Sequence, residues 1–483
     1  MIKRIFSVLC VVCMIFSLVA CNSGKAEDTD SENTAVDETA DLTYEESVPD
    51  KDYGGAEFNI LCTLEIAQFF DEESAHIQGL KSAVTSRNSK TKSLYNVDIK
   101  YTIESGNAGN QDQFASKVRT ACMSGDATFD LVLPQARYGV SLGLEGLYHN
   151  FNDSPYIQWD EPWYYQNINA NSEILEQTYF LASAFLMDKL HAAEVVLYNV
   201  DMGINNGISE KEIYSHVTNG TWTIDVFEEY ASRITVAEGE AEPDAYGCVT
   251  GGHGVRALMI GSDTPFVEKT SDGKQKIVYY NEHLVDVFNK VNTFINERNY
   301  VVCDDTDAML KWFPNGDSLF ALAYIGMMSE DGNLNSEVDF AILPIPKYNP
   351  EQENYITDVQ RWEMASIPIV ADFERACLVL DALSYYTYTD VIPEYWDTLV
   401  GYRLARDAQV QQIVETIRST ITYDFTAIFQ VEMGEIYLGT ESLSNQIRRG
   451  DCNITSWWEG IEPSSGQWFD ALYLKYENLA KTE

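Results

Sequence analysis

An α/β fold with a mostly parallel sheet is predicted by three features of this chain. Short strand-like runs alternate with amphipathic helical stretches. Several of those runs are apolar at nearly every position, as in strands covered on both faces. After about residue 368 the pattern turns mostly helical. With 483 residues there is room for two lobes at ordinary domain size. No internal repeat is visible.

Taken in order, "EFNILC" (57–62), "VDIKYTI" (97–103), "FDLVLP" (129–134), "EVVLYN" (194–199), "SLFALAYI" (318–325) and "VDFAILPIP" (338–346) read as strands. Helices lie between them. "DQFASKVRTACMSG" puts Phe114, Val118, Ala121 and Cys122 on one face and ends at Gly125. "TIDVFEEYASRI" puts Phe227, Tyr230, Ala231 and Ile234 at i, i+3, i+4 and i+7, with Thr223 as N-cap. "EHLVDVFNKVNTFINERN" repeats the pattern with Leu284, Val287, Phe288, Val291 and Phe294.

The first residues carry a different signal. Lys3 and Arg4 precede an uncharged, mostly apolar run from Ile5 to Ala20. At about 1.5 Å per residue that run reaches roughly 24 Å, short of the roughly 30 Å hydrocarbon core, so a secretory signal over 1–20 fits better than a membrane span. Leu18-Val19-Ala20-Cys21 resembles the bacterial lipobox, which implies a lipidated Cys21 as the mature N-terminus; an ordinary signal peptide with a nearby cysteine is the alternative. Residues 21–52 are acidic and poor in aromatics, and are expected to be a disordered tether.

The formal charge is −43, and residues 53–483 still hold 28 Lys and Arg against 64 Asp and Glu. That lacks the basic footprint of a nucleic-acid binder, and it would be repelled by anionic head groups, so membrane attachment is expected through the lipid alone. Of nine cysteines, Cys10 and Cys13 fall in the signal segment and Cys21 is assigned to lipid. The remaining six (Cys62, Cys122, Cys248, Cys303, Cys377 and Cys452) are scattered, and their spacing predicts neither a metal site nor a disulfide.

A succession of segments resembles the extracellular solute-binding proteins of ABC importers, most nearly the sugar-binding group that includes maltose-binding protein. They are "YNVDIKYTIESGNAGNQDQFASKVRTACMSGDATFDLVLP", "GLYHNFNDSPYIQWDEPWYYQN", "TYFLAS", "VVLYNVDM", "NGTWTIDVFEEYA", "DFAILPIPKYN" and "ASIPIVADFERACLVLDAL". The resemblance spans 53–483 and rests on order and spacing. It implies a periplasmic-binding-protein-like type II fold, with two discontinuous α/β lobes around a hinge and cleft. These are placed at 53–187 plus 365–415 and at 188–364 plus 416–483. It also implies a carbohydrate ligand, no catalysis, no cofactor, and a monomer that delivers its ligand to a permease pair driven by a separate ATPase. The location implied is the outer face of a bacterial cell membrane.

A saccharide needs flat aromatic faces and planar polar groups that pair with hydroxyls. In the loops after strand ends the candidates are Thr63 and Glu65, then Gln135, Arg137 and Tyr138, then His253 and Arg256 in "CVTGGHGVRALM". Tyr324 follows in "ALAYIG", and Arg361, Trp362 and Glu363 come from "DVQRWEMASIP" on the return to the first lobe. Pro134 falls about where maltose-binding protein carries a tryptophan. Trp222, Trp163 and the lone His191 are expected to be packing residues.

The alternatives are a binding protein for a peptide or other non-sugar solute and, as the main enzyme rival, an exported glycosidase, which needs a carboxylate pair about 5 to 10 Å apart. No acidic motif marks one, and H-E-x-x-H and G-x-S-x-G are absent. A helical-repeat surface lipoprotein lacks the required period. "SEDGNLNSEVD" spaces Asp331, Asn333 and Asn335 like a calcium loop but lacks its Gly and terminal Glu, and reads as a turn.

Overall fold

The computed structural model describes residues 43–74, 80–106, 111–236, 243–271, 274–304, 309, 311–328, 338–359, 362–400, 408–434, 437–450 and 453–481. Cys21, Arg361, Cys452 and the 329–337 turn lie outside the described residues. The chain forms two compact units, Met1–Pro49 and Asp50–Glu483. In the first, the end of the expected tether is not wholly irregular. Tyr44–Ser47 makes one helical turn because the Glu46 carboxylate accepts from the Thr43 N–H and hydroxyl, at 2.9 and 3.0 Å.

In the second unit, β1 (Ala56–Thr63), β2 (Val97–Glu104) and β3 (Leu131–Leu133) form a parallel sheet in the order β2-β1-β3. Five of the eight β1 residues are buried, and Phe58, Ile60, Leu61 and Cys62 among them are fully so. A second sheet holds β4 (Glu194–Asn199), β5 (Tyr246–Thr250), β8 (Val301–Cys303), β9 (Ser318–Tyr324) and β10 (Phe340–Pro344) in the order β10-β4-β9-β5-β8. Between β5 and β8 in sequence, β6 (Val267–Lys269) and β7 (Gln275–Ile277) make a separate antiparallel hairpin.

This second sheet corrects the expectation of a mostly parallel one. β4 runs antiparallel to both β9 and β10, and only β5 pairs in parallel with its neighbours. A continuous apolar run reveals burial on both faces but not strand direction. The expected helices form at Gln111–Ser124, Ile224–Ala231 and Glu282–Asn296. Thr223 caps the second by accepting from Val226 N–H. Trp222 is fully buried and donates to the Pro344 carbonyl at 2.9 Å.

Crossing segments carry the chain between the sheets, one of them through turns and the short helix Asp188–His191. Val359 pairs with Ala193 just ahead of β4, Glu363 with Gln135 just beyond β3, Ala365 with Leu181, and Ser366 with Val132 within β3. The 181–193 stretch is therefore bridged at both of its ends to described residues of 357–368. Thr357 also pairs with Ile421. Beyond residue 368 helices dominate, and they alternate in what they pack against. Phe373–Tyr386 lies on Leu80–Tyr95, Ala408–Ser419 on β10, Phe425–Ile428 on Ala136–Leu144, and Tyr437–Arg449 on Gly252–Gly261. This end of the chain does not divide at 415/416. Among the described residues, no helix is long and apolar enough to cross a membrane.

Candidate ligand site

Because β1, β2 and β3 are parallel, their carboxyl ends share one edge of the sheet. Glu65 leaves β1 in the 3-10 turn Leu64–Phe69, Gly106 follows β2, and Gln135 sits at the N-cap of the Ala136–Leu144 helix after β3. The three loops meet at Gly106. A Cβ there would lie 2.2 Å from Thr63 Cγ2 and 2.9 Å from the Tyr138 hydroxyl, so only glycine permits the approach. Gly106 N–H points to Glu65 Oε2 at 3.4 Å. Tyr138 packs its ring on Phe114, with centroids 5.5 Å apart. Burial raises the Tyr138 phenol pKa, and the Glu363 and Glu65 carboxylates within electrostatic reach raise it further.

The crossing segment closes this edge. Ala136 N–H donates to the Trp362 carbonyl at 2.8 Å, and Gln135 Nε2 donates to Glu363 Oε1 at 3.2 Å. Lys189, itself fully buried, donates to the Glu363 carbonyl and pairs with Asp188 at 2.8 Å.

The second sheet supplies the facing groups. Glu194 opens β4 directly opposite Tyr324 at the end of β9. His253, in the first turn of the Gly252–Gly261 helix after β5, holds Glu194 through Nδ1 at 3.0 and 3.1 Å, with its ring edge-on to Tyr324 at 6.1 Å. Burial alone would lower the His253 pKa; the adjacent Glu194 carboxylate outweighs it and the pKa is raised. One turn on, Arg256 binds Asp358 through Nε at 2.8 Å and Nη2 at 2.6 Å. Its guanidinium lies 6.0 Å from the Trp362 ring centre. Burial pushes the Asp358 carboxyl up to about 6 against the downward pull of Arg256.

Four polar atoms in this cluster are buried without a hydrogen-bond partner: Thr63 Oγ1, Tyr138 OH, Glu363 Oε2 and His253 Nε2. Buried polar groups are normally paired, so a convergence of unpaired ones marks a place built to meet something else. They come from both sheets.

No family model matches the sequence. No curated protein matches it either. Solved structures do match its fold. UgpB from Mycobacterium tuberculosis, in complex with glycerophosphocholine, superposes with a TM-score of 0.56 at 14% identity, covering 86% of this chain and 99% of that one. A cyclo/maltodextrin-binding protein complexed with maltotetraose gives 0.54 at 12% identity, covering 88% and 97%. The GacH receptor of Streptomyces glaucescens, solved unliganded and with acarbose, gives 0.50 at 11% identity, covering 88% and 99%. This is the periplasmic-binding-protein-like type II fold.

Within that fold, Glu65, Gln135, Tyr138, Trp362 and Glu363 gather at the first sheet's edge, while His253, Arg256 and Tyr324 gather at the second. Trp362 touches both groups. Arg137 is half-buried on the turn that carries Tyr138. His191 is held by Tyr395 OH at 2.8 Å and packs on Phe69, as expected of a structural histidine. Trp163 donates to Asp381 at 2.8 Å and packs on Tyr385.

Sequence reasoning missed Glu194, Asp358 and Lys189. A signal existed for Glu194, since a carboxylate opens the otherwise apolar run "EVVLYN". Away from this cluster, a cavity of about 590 Å³ opens at the far end of the Gly252–Gly261 helix, between Asn171, Asp263, Glu353, Tyr355 and Tyr423. None of its side chains leaves a buried polar atom unpaired. The polar cluster, and not this cavity, is the candidate site.

Proposed function

We propose that this protein is the substrate-binding component of an ABC importer, capturing a mono- or oligosaccharide and passing it to a permease pair powered by a separate ATPase. Each lobe would be built on one sheet, with hinge crossings near 187/188 and 364/365, and ligand held by Glu65, Gln135, Arg137, Tyr138, His253, Arg256, Tyr324, Arg361, Trp362 and Glu363. The observation that carries this reading is the set of buried, unpaired polar atoms contributed by both sheets beside the half-buried Trp362 indole. Hydroxyl-rich ligands satisfy such groups while the indole covers a sugar face. We further propose attachment through lipid on Cys21 to the outer face of a bacterial cell membrane, as a monomer.

The test is a thermal-shift screen of the purified protein against mono- and oligosaccharides, followed by calorimetric titration. A ligand that binds only the folded chain raises its melting temperature. A saturable shift without turnover supports capture. Absence of a shift with every saccharide removes the carbohydrate reading, and steady release of a hydrolysed product replaces binding with glycosidase activity.

A further inference from the structure

We infer that the ligand carries a positively charged amino group, an amino sugar in place of a neutral one, and that Glu363 and Glu65 receive it. The inference rests on the carbohydrate reading above and narrows it.

The argument is a count of charges at the site. Three cations of the cluster each have a carboxylate of their own: Lys189 with Asp188 at 2.8 Å, His253 with Glu194 at 3.0 Å, and Arg256 with Asp358 at 2.6 Å; Arg137, on the neighbouring turn, pairs with neither Glu363 nor Glu65. Two carboxylates are left. Glu363 is fully buried, and among the described residues its carboxylate accepts one hydrogen bond, from the neutral Gln135 amide to Oε1. Oε2 is buried and unpaired. Lys189 reaches the Glu363 backbone carbonyl and not its carboxylate. Glu65 is half-buried, and among the described residues its carboxylate accepts only from the Gly106 N–H. Among the described residues, no Lys, Arg or His is within ion-pair distance of either.

A buried carboxylate without a cation is costly, and an amide donor offsets only part of that cost. A ligand hydroxyl would fill the open hydrogen-bond position but leave the charge in place. An ammonium group does both, and its bond to a carboxylate is about twice as strong as a neutral one. The unpaired hydroxyls of Thr63 and Tyr138 lie beside the same two carboxylates, where they would meet the ligand's remaining oxygens. The strongly acidic body, at −43 for the full chain, would concentrate a cationic solute before capture.

The experiment uses the full chain and three matched pairs: glucosamine with glucose, galactosamine with galactose, and mannosamine with mannose. Each pair differs only in an amine or a hydroxyl at one carbon. Calorimetric titration at neutral pH should show at least one amine bound about tenfold or more tightly than its neutral partner. In Glu363→Gln that preference should fall to about twofold or less, with Glu65→Gln giving a smaller reduction. The melting temperature of each variant shows whether it is folded. Neutral sugars bound as tightly as their amines would overturn this inference and leave the carbohydrate reading standing. An amine preference that survives intact in both folded variants would overturn the assignment to Glu363 and Glu65. Binding of no member of any pair would count against the carbohydrate reading and this inference together.

Discussion

At the scale of single residues, the site depends on groups that each serve two neighbours. Trp362 offers its carbonyl to Ala136, its indole N–H to Val359 at 3.2 Å, and its ring to Arg256. Trp362→Ala should weaken saccharide binding by about 1 to 3 kcal/mol, what burying a large apolar side chain contributes. An unchanged dissociation constant by titration calorimetry removes the indole from the ligand contact. The Glu194–His253 and Arg256–Asp358 pairs make a second prediction, about pH. Asp358 is pushed up to about 6 from 3.8, so between those values the folded chain holds more protons than the unfolded one, and stability falls as pH rises. The His253 pKa lies above 6.5, so its stabilising contribution is present below 6.5 and is lost as pH rises through the folded pKa. Relative to the parent, Asp358→Asn should flatten the loss of melting temperature over the first window and His253→Gln over the second. Parallel pH profiles for parent and variants would sink both assignments. Glu65, Gln135 and Tyr138 were legible as candidates because loops after strand ends are where such folds gather polar groups, and Glu363 because it lies in a polar stretch of the return segment. Asp358 and Lys189 were not, because a charge hidden in the interior looks in sequence like any surface charge.

At the scale of elements, strands set in longer apolar runs and amphipathic helices were readable, and strands without such a run were not. β3 and β10 are as short as β8 and β5 but lie within "FDLVLP" and "VDFAILPIP", whereas "YGCVT" at β5 and "VVC" at β8 are flanked by polar residues and glycines. Strand direction was also hidden, which is why β4 came as a reversal within the sheet. Yet β5 positions His253 and Arg256, so a weakly signalled strand carries half of the site. Tight approaches between elements were likewise invisible and yield a paired prediction. Gly106→Ala forces a methyl group onto Thr63 and Tyr138 at the site, whereas Gly247→Ala forces one to 2.1 Å from the Ala231 carbonyl oxygen, at the other end of β5. Overpacking of this kind costs about 1 to 3 kcal/mol. Both variants should lower the urea midpoint, but only Gly106→Ala should also weaken ligand affinity in the protein that remains folded. Equal affinity losses in the two variants would mean that the Gly106 junction has no special relation to ligand.

At the scale of the whole molecule, amphipathicity shows that a helix packs but not on what. The helices after residue 368 were therefore legible as helices while their alternation between the elements of the two sheets was not. That alternation matters for motion. The stretches that join the sheets are bridged to one another at Leu181–Ala365, Ala193–Val359 and Thr357–Ile421. Such a set of bridged connectors can bend in concert while each sheet keeps its own core, which is the mechanical requirement of hinge closure. The candidate ligand groups sit where these connectors meet the strand ends, so a ligand engaging both sheets binds one arrangement better than the other and shifts the population toward it. Small-angle scattering with and without a saturating saccharide tests this directly. The radius of gyration should fall on binding, and the fall should be reduced in Trp362→Ala at equal ligand concentration. A radius unchanged by a ligand that raises the melting temperature would mean that the site is filled without closure, and the connectors would then be static struts.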